Sequence, residues 1–360
     1  MSGRGEQHQP RQLGLFGALQ PPADEPPKGG PPATSSASSS GRPLKTPSVD
    51  PAQVDAAAQA LAGALPAGLR LGTSSWAFAG WRGAVYAPDA PERHLSRYGL
   101  SAYAQHPLLR AVGLDRTFYA PLAAAAFGDY AAQVPEDFRF LVKAWQELTS
   151  PTLRGRTGLN PNYLDAACAI DRCVAPAVEG LGGKLGPLLL QFPPQGGDVT
   201  RRPEAFADRL HGFLDALPRG PRYVVELRDE RLLTDRYRAA LQATGAQHGY
   251  VAHPRMPSIA RQRELAPPRG PTTARWMLRQ GLHYQQAKER YAPFDALTDP
   301  DPQTRGAITE LVADSALRDV EAVVIVNNKA EGSSPLSVLE LARAIVQASA
   351  DENARSTSGS

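Results

Sequence analysis

Short runs of apolar, often β-branched residues alternate along the chain with longer stretches in which apolar positions recur every three or four residues. The short runs suit strands buried on both faces, and the longer stretches suit helices with one apolar side. Eight runs of the first kind are found at 69–75, 109–118, 138–143, 187–192, 222–227, 247–252, 273–278 and 322–326. The sixth has the weakest pattern. Helical periodicity fills 91–105, 121–134, 160–181, 202–217, 229–244, 304–317 and 334–348, several of which open on Pro, Asp, Asn or Ser and close near Gly.

Eight alternations within about 280 residues have the size and rhythm of a single (β/α)₈ TIM barrel, placed at 66–349. An open doubly wound sheet is the alternative, because periodicity does not reveal closure. Residues 1–55 are rich in Pro, Ser and Gly and read as a disordered N-terminal tail; 350–360 read as a shorter C-terminal one.

Composition changes this picture little. A formal charge of +3 is compatible with a nucleic-acid partner without requiring one. Cys168 and Cys173 fall in a helical segment, form no metal-binding pair motif, and are expected as reduced thiols of a cytoplasmic protein. No apolar run approaches the roughly 20 residues of a membrane span, so no membrane partner is expected.

In a parallel barrel the chemistry gathers where strands end. Polar residues cluster there: Ser74, Ser75 and Trp76; Asp115, Thr117 and Tyr119; Lys143; Gln191; Glu226 and Arg228; His253; Arg275 and Arg279; Asn327 and Asn328. The two asparagines follow the most apolar strand of the chain, which makes sense if that strand delivers them to the barrel mouth. Some of this ring could simply satisfy its own hydrogen bonds around water.

The order of "GTSSWAFAGWRGAVYAP", "TFYAP", "FRFLVKAWQELTS", "LLLQFPP", "VVELR", an arginine at Arg275 and "VIVNNKAEG" resembles the successive motifs of the family called domain of unknown function 72, over roughly 69–348. That resemblance implies a barrel similar in architecture to endonuclease IV and the xylose isomerase-like barrels, with no established activity. It singles out Gly72, Thr73, Trp76, Trp81 and Tyr86, then Thr117, Phe118 and Tyr119, then Lys143, Gln191, Pro193, Pro194, Glu226, Arg228, Arg275, Asn327, Asn328 and Gly332. Three positions depart from the family pattern: Gly113 replaces a glutamate, Ser150 a histidine, and Asp229 stands where histidine is common.

Chemically, Glu226, Asp115 and Lys143 are the catalytic candidates. Glu226 and Arg228 share one face of a strand, fitting either an ionised carboxylate beside a phosphate-gripping guanidinium or a structural ion pair. Lys143 is open to three roles: a Schiff-base nucleophile, a phosphate contact or a solvated cap on the core. With Arg228 and Arg275 close by, phosphate contact is the expectation. Trp76, Tyr86, Thr117, Tyr119, Gln191, Arg228, Arg275, Asn327 and Asn328 are the substrate-binding candidates. The aromatics among them suit either base and sugar stacking or packing beneath loops. Only His248 and His253 lie near a strand, at its opposite ends, so no bound transition metal or other cofactor is expected; Mg²⁺, which needs few protein ligands, remains compatible. No phosphate-binding glycine loop or GxSxG elbow occurs.

The N-terminal tail holds one apolar cluster, Gln12-Leu13-Gly14-Leu15-Phe16. It resembles the peptide by which polymerases and repair proteins dock on the bacterial sliding clamp, with Gln12, Leu13, Leu15 and Phe16 as the docking residues; a chance cluster or a short helix on the barrel would also fit. Three functions are therefore expected in order: a barrel in DNA metabolism or repair, as a hydrolase of phosphodiester or damaged-nucleotide substrates if it is catalytic; a non-enzymatic DNA-associated protein; or a metabolic barrel for a sugar or sugar phosphate.

Overall fold

The computed structural model describes residues 48–358 except Arg154 and Arg156. Eight parallel strands close into a barrel in sequence order: β1 Leu69–Thr73, β2 Ala111–Leu114, β3 Arg139–Lys143, β4 Leu185–Phe192, β5 Tyr223–Leu227, β6 Gln247–Ala252, β7 Thr272–Trp276 and β8 Ala322–Val326. Closure is made by β1 and β8, paired from Leu69↔Ala322 to Thr73↔Val326, which rules out the open sheet.

Alternation along the strands builds the interior. Ala111, Leu141, Leu189, Val224, Val323 and Ile325 form an apolar plug of fully buried side chains inside the barrel. Two residues further along, the same inward face carries Lys143 on β3, Gln191 on β4, Glu226 on β5 and Asn327 beyond β8. The plug therefore seals the barrel beneath a polar layer. At the opposite end, Glu321 ties β3 to β5 through Arg139 at 3.5 Å and Arg222 at 2.8 Å.

The β1–β2 seam depends on one missing side chain. A Cβ on Gly72 would stand 1.9 Å from the carbonyl oxygen of Ala111, so the two backbones approach only because residue 72 has none. The Tyr103 hydroxyl reinforces the seam, donating to Ala111 O at 2.9 Å and accepting from Thr73 N at 3.0 Å.

Several boundaries differ from the sequence expectation. Residues 48–55 do not belong to a tail: Val49 and Ala52 are buried, and Ala52 N donates to Val85 O at 2.9 Å while Ala87 N donates to Asp50 O at 2.9 Å. The last helix runs Ser334–Ser358, past residue 350, with Gln347 Nε2 donating to Asp351 Oδ1 at 2.8 Å across one helical turn. Helices Ala56–Ala64, Ile259–Leu265 and Tyr284–Tyr291 were not legible as such. The helical stretch expected from 160 begins at Ala166, where Asp165 accepts from Cys168 N at 2.7 Å. It widens into a π turn at Ile170–Val174, just before Pro176, whose ring nitrogen has no hydrogen to donate back along the helix. Cys168 and Cys173 in this stretch are unpaired. No helix among the described residues is long and apolar enough to cross a membrane.

Gly72→Ala should weaken the fold by about 3 kcal/mol, since strand separation is the only relief for the clash. Urea unfolding checks this, and a loss below about 1 kcal/mol would show that the seam can yield.

Candidate functional site

β5 brings Glu226 to the centre of the mouth, fully buried above the plug. A lone carboxylate there would be prohibitively desolvated, and two guanidiniums resolve the problem. Arg228, two residues on, donates from Nε to Oε1 at 2.8 Å and brings Nη2 within 2.6 Å of the same oxygen as an ion pair. Arg275, from β7, donates from Nη1 to Oε1 at 3.2 Å and Oε2 at 3.0 Å. Burial acts to raise the Glu226 carboxyl, but the charges of Arg228, Arg275 and Lys143 outweigh it and bring the group down to about 2.

Asp115 opens the short turn after β2, and its Oδ1 lies 3.7 Å from Arg275 Nη2 without a hydrogen bond. Lys143, at the end of β3, is also fully buried, with Nζ 3.7 Å from the centroid of the Phe118 ring. Burial lowers its amine to about 8; Arg275 and Arg228 act in the same direction, and Asp115 and Glu226 oppose them. His253 is brought down to about 3, first by burial and then by Arg228. It is therefore a neutral imidazole near pH 7, with Nδ1 accepting from Arg255 N at 3.2 Å.

The remaining candidates divide into two groups. Near the mouth, Gln191 is buried and pairs in register with Glu226, while Tyr119 lies half exposed at the rim. Burial raises the Tyr119 phenol, and Asp115 and Tyr284 add to that, which places the three side chains in one neighbourhood. Asn327 donates from Nδ2 to Ser74 Oγ at 2.7 Å and accepts from Lys329 N at 3.0 Å.

The second group holds the scaffold. Tyr86 is fully buried, its hydroxyl on the carbonyl of Trp76. Trp76 leans toward the outer helices, with Nε1 3.2 Å from Ser96 O and its ring edge-on to Tyr130. The Thr117 hydroxyl has two carbonyl neighbours, Leu114 O at 2.6 Å and Lys143 O at 2.5 Å, bridging the ends of β2 and β3. Asn328 Oδ1 accepts from Trp81 Nε1 at 3.2 Å, Ser334 N at 2.8 Å and Ser334 Oγ at 2.5 Å. Of the two adjacent asparagines, one lines the mouth and the other pins the loop behind it.

Two members of the site were not among the sequence candidates. Lys329 is buried, with Nζ 4.4 Å from the Tyr284 ring centroid, 5.6 Å from that of Phe294 and 3.5 Å from Asn327 Oδ1. Its amine is lowered to about 8 by burial and by Lys288, against the pull of Asp115. Lys329 directly follows the two asparagines, so its motif was visible; Tyr284 belongs to a helix that was not. The loop carrying Lys329 is fixed by the fully buried Glu331, whose Oε1 accepts from Asp301 N and Arg305 Nη2, each at 2.6 Å. Gly332 closes that loop at φ +124°, where a Cβ would meet Ala296 O at 2.3 Å.

Two of the three departures from the family pattern have a local structural context. A Cβ on Gly113 would lie 3.3 Å from Ser74 Cα, so a side chain here needs the backbone just after β1 to give by a few tenths of an ångström. Asp229 engages Arg231 Nε and Nη2, both at 2.8 Å, while nothing in the structure explains the serine at 150, whose backbone carbonyl accepts from Asn160 Nδ2 at 2.8 Å. Gln12, Leu13, Leu15 and Phe16 lie outside the described residues. Among the described residues, no group of three or more His, Cys, Asp or Glu side chains converges as a metal site.

Fold and site together define a closed (β/α)₈ barrel with an ionic cluster sealed into its mouth. The chain belongs to the family described as "Protein of unknown function DUF72", whose model matches residues 70–358. Among solved structures it is similar to a DUF72 family protein of Thermotoga maritima, with 20% identity, a TM-score of 0.54 and coverage of 77% of this chain and 98% of that one. It is also similar to a DUF72 family protein of Enterococcus faecalis, with 17% identity, a TM-score of 0.52 and coverage of 77% and 95%. At these identities the likeness supports the barrel fold. No curated protein matches the chain.

Because Glu226 has its folded carboxyl below the ordinary value, its contribution to stability is complete above about pH 5 and is lost as pH falls toward about 2. The stability gap between wild type and Glu226→Gln should therefore shrink across that window in urea titrations; a gap independent of pH would refute the assignment. Asn328→Ala strands the Trp81 and Ser334 donors and should cost about 2–4 kcal/mol. A loss under about 0.5 kcal/mol would mean that the loop is held elsewhere.

Proposed function

We propose that the barrel mouth binds the phosphate group of a nucleotide or sugar phosphate, and that the chain works in DNA metabolism. One observation carries the reading. Among the described residues, Lys143, Arg228, Arg275 and Lys329 surround two mouth carboxylates, Asp115 and Glu226, leaving two positive charges in excess when all are ionised. Such an excess beneath a low-dielectric rim favours an anion, and guanidiniums already oriented by Glu226 lose little freedom in binding one.

Arg275 and Glu226 are almost completely buried, so the charge lies at the floor of the mouth. A phosphate that engages it would belong to a single extruded nucleotide or a small sugar phosphate, since the side of a duplex cannot enter a barrel mouth. The half-exposed Tyr119 and the neighbouring Tyr284 offer a rim for a base or sugar.

For hydrolysis, Asp115 is the better general base. Glu226 has a carboxyl near 2 and both oxygens on guanidiniums, which suits an electrostatic anchor. Asp115 Oδ1, without a hydrogen bond, also suits a Mg²⁺ ion carried in by a phosphate ligand. The QLGLF segment supports delivery to DNA, and a cytoplasmic location accords with both roles.

Binding of abasic, single-stranded and duplex DNA should be measured against salt, beside the melting temperature with phosphorylated sugars. DNA binding that weakens with salt and falls about tenfold or more in Arg228→Met supports the reading. Stabilisation by sugar phosphates alone moves the barrel to metabolism, and silence in every arm overturns phosphate binding. A labelled peptide covering residues 8–20 should bind bacterial sliding clamp in the micromolar range and lose that binding when Gln12, Leu15 and Phe16 become Ala. Equal binding by both peptides would remove the clamp from the proposal.

A further inference from the structure

Lys143 is placed unlike an ordinary phosphate-binding lysine. Its side chain rises from the last residue of β3 into the sealed barrel. Its carbonyl is bridged to β2 by Thr117. Asp115 and Glu226 lie within electrostatic reach on the same floor. Above it lies Phe118, half-buried at the rim, with its ring 3.7 Å from Nζ. The amine is thus rigidly based, shielded from water and in contact with the Phe118 ring.

We propose that Lys143 is a nucleophile that condenses with the aldehyde of a phosphorylated sugar, and that Phe118 is the gate above it. The proposal rests on the phosphate-binding reading and deepens it. The neutral Nζ attacks the carbonyl carbon, and the C=O π pair moves to oxygen, which takes up a proton. The amine proton passes by way of Asp115 to that oxygen, which completes the carbinolamine. The carbinolamine then loses water as the nitrogen lone pair forms C=N, so that amine and aldehyde give imine and water without oxidant or reductant.

Two features favour this step at Lys143. Burial lowers its amine to about 8, so a far larger share is neutral near pH 7.5 than for an unperturbed lysine. The Phe118 ring covers Nζ at 3.7 Å, so its rotation opens a path to the amine. Lys329 serves a different role. It sits on the loop after β8, next to Asn327 Oδ1 and the Tyr284 ring, where it can hold the phosphate.

The aldehyde has two sources, an abasic site in DNA and a free aldose phosphate, and the experiment separates them. The full chain is incubated with sodium cyanoborohydride and either abasic duplex or ribose 5-phosphate, then weighed intact and peptide-mapped. The expected result is one secondary-amine adduct on Lys143 in at least one arm, and the reactive arm identifies the source. Adduct formation should rise with pH toward about 8, fall about tenfold or more in Lys143→Arg, persist in Lys184→Arg at the far end of the barrel, and quicken in Phe118→Ala.

The wild-type peptide map decides the matter even if Lys143→Arg does not fold. Adducts scattered over surface lysines overturn the proposal. Absence of any adduct while inorganic phosphate still raises the melting temperature overturns the imine and leaves phosphate binding standing. Absence of both overturns the two readings together.

Discussion

The mouth is organised around a carboxylate that cannot ionise alone. Moving an ion of this size out of water costs several kcal/mol even after the protein relaxes, and Glu226 is fully buried. Its charge persists because Arg228 and Arg275 supply four close contacts between them. The dependence runs both ways, since without Glu226 two guanidiniums would crowd together in a water-poor space. One buried carboxylate therefore fixes two cations from different strands, and the strands must hold register for the contacts to survive.

The backbone meets that requirement by alternation. The plug from Ala111 to Ile325 fills one inward layer with aliphatic side chains, and the next inward positions carry charge or amide groups. Water is excluded from below, so electrostatic interactions in the upper layer are strong in both directions. The same exclusion lowers the amines of Lys143 and Lys329. The loop after β8 obeys a related rule: Asn328 and Glu331 occupy buried positions because they accept hydrogen bonds from groups that otherwise have no partner. Their work holds Lys329 beside Tyr284.

Strand-level organisation was readable because β6 and β8 keep their apolar runs to the predicted residues, while β5 and β7 shift by only one or two. β2 was overestimated, since the run 109–118 continues in composition through Asp115–Phe118, where the Thr117 hydroxyl turns the backbone back on Leu114. The strand-end ring was readable for the same reason as the strands: period two fixes which residues share the inner face. Direction beyond the strand end was not. Tyr86 and Asn328 lie on loops, and only three-dimensional partners reveal that they brace Trp76 and Ser334. Tyr284 was missed because the helix Tyr284–Tyr291 is short and strongly polar, leaving no apolar stripe to find.

The two lysines make different demands on a ligand. A phosphate dianion stabilises any ammonium beside it, so its close approach to Lys143 would keep that amine protonated and unreactive. The imine reading therefore requires the phosphate to lie nearer Lys329 and the guanidinium edges, with the sugar carbon extending toward β3. Asp115 stands between these demands, because its charge favours the ammonium at both lysines. If Asp115 took a proton from Lys143, its pull on Lys329 would weaken as well, and a bound phosphate would become the main partner stabilising the Lys329 ammonium. On the proposed reading, phosphate binding at one lysine and nucleophilic attack at the other would be coupled through a single carboxylate.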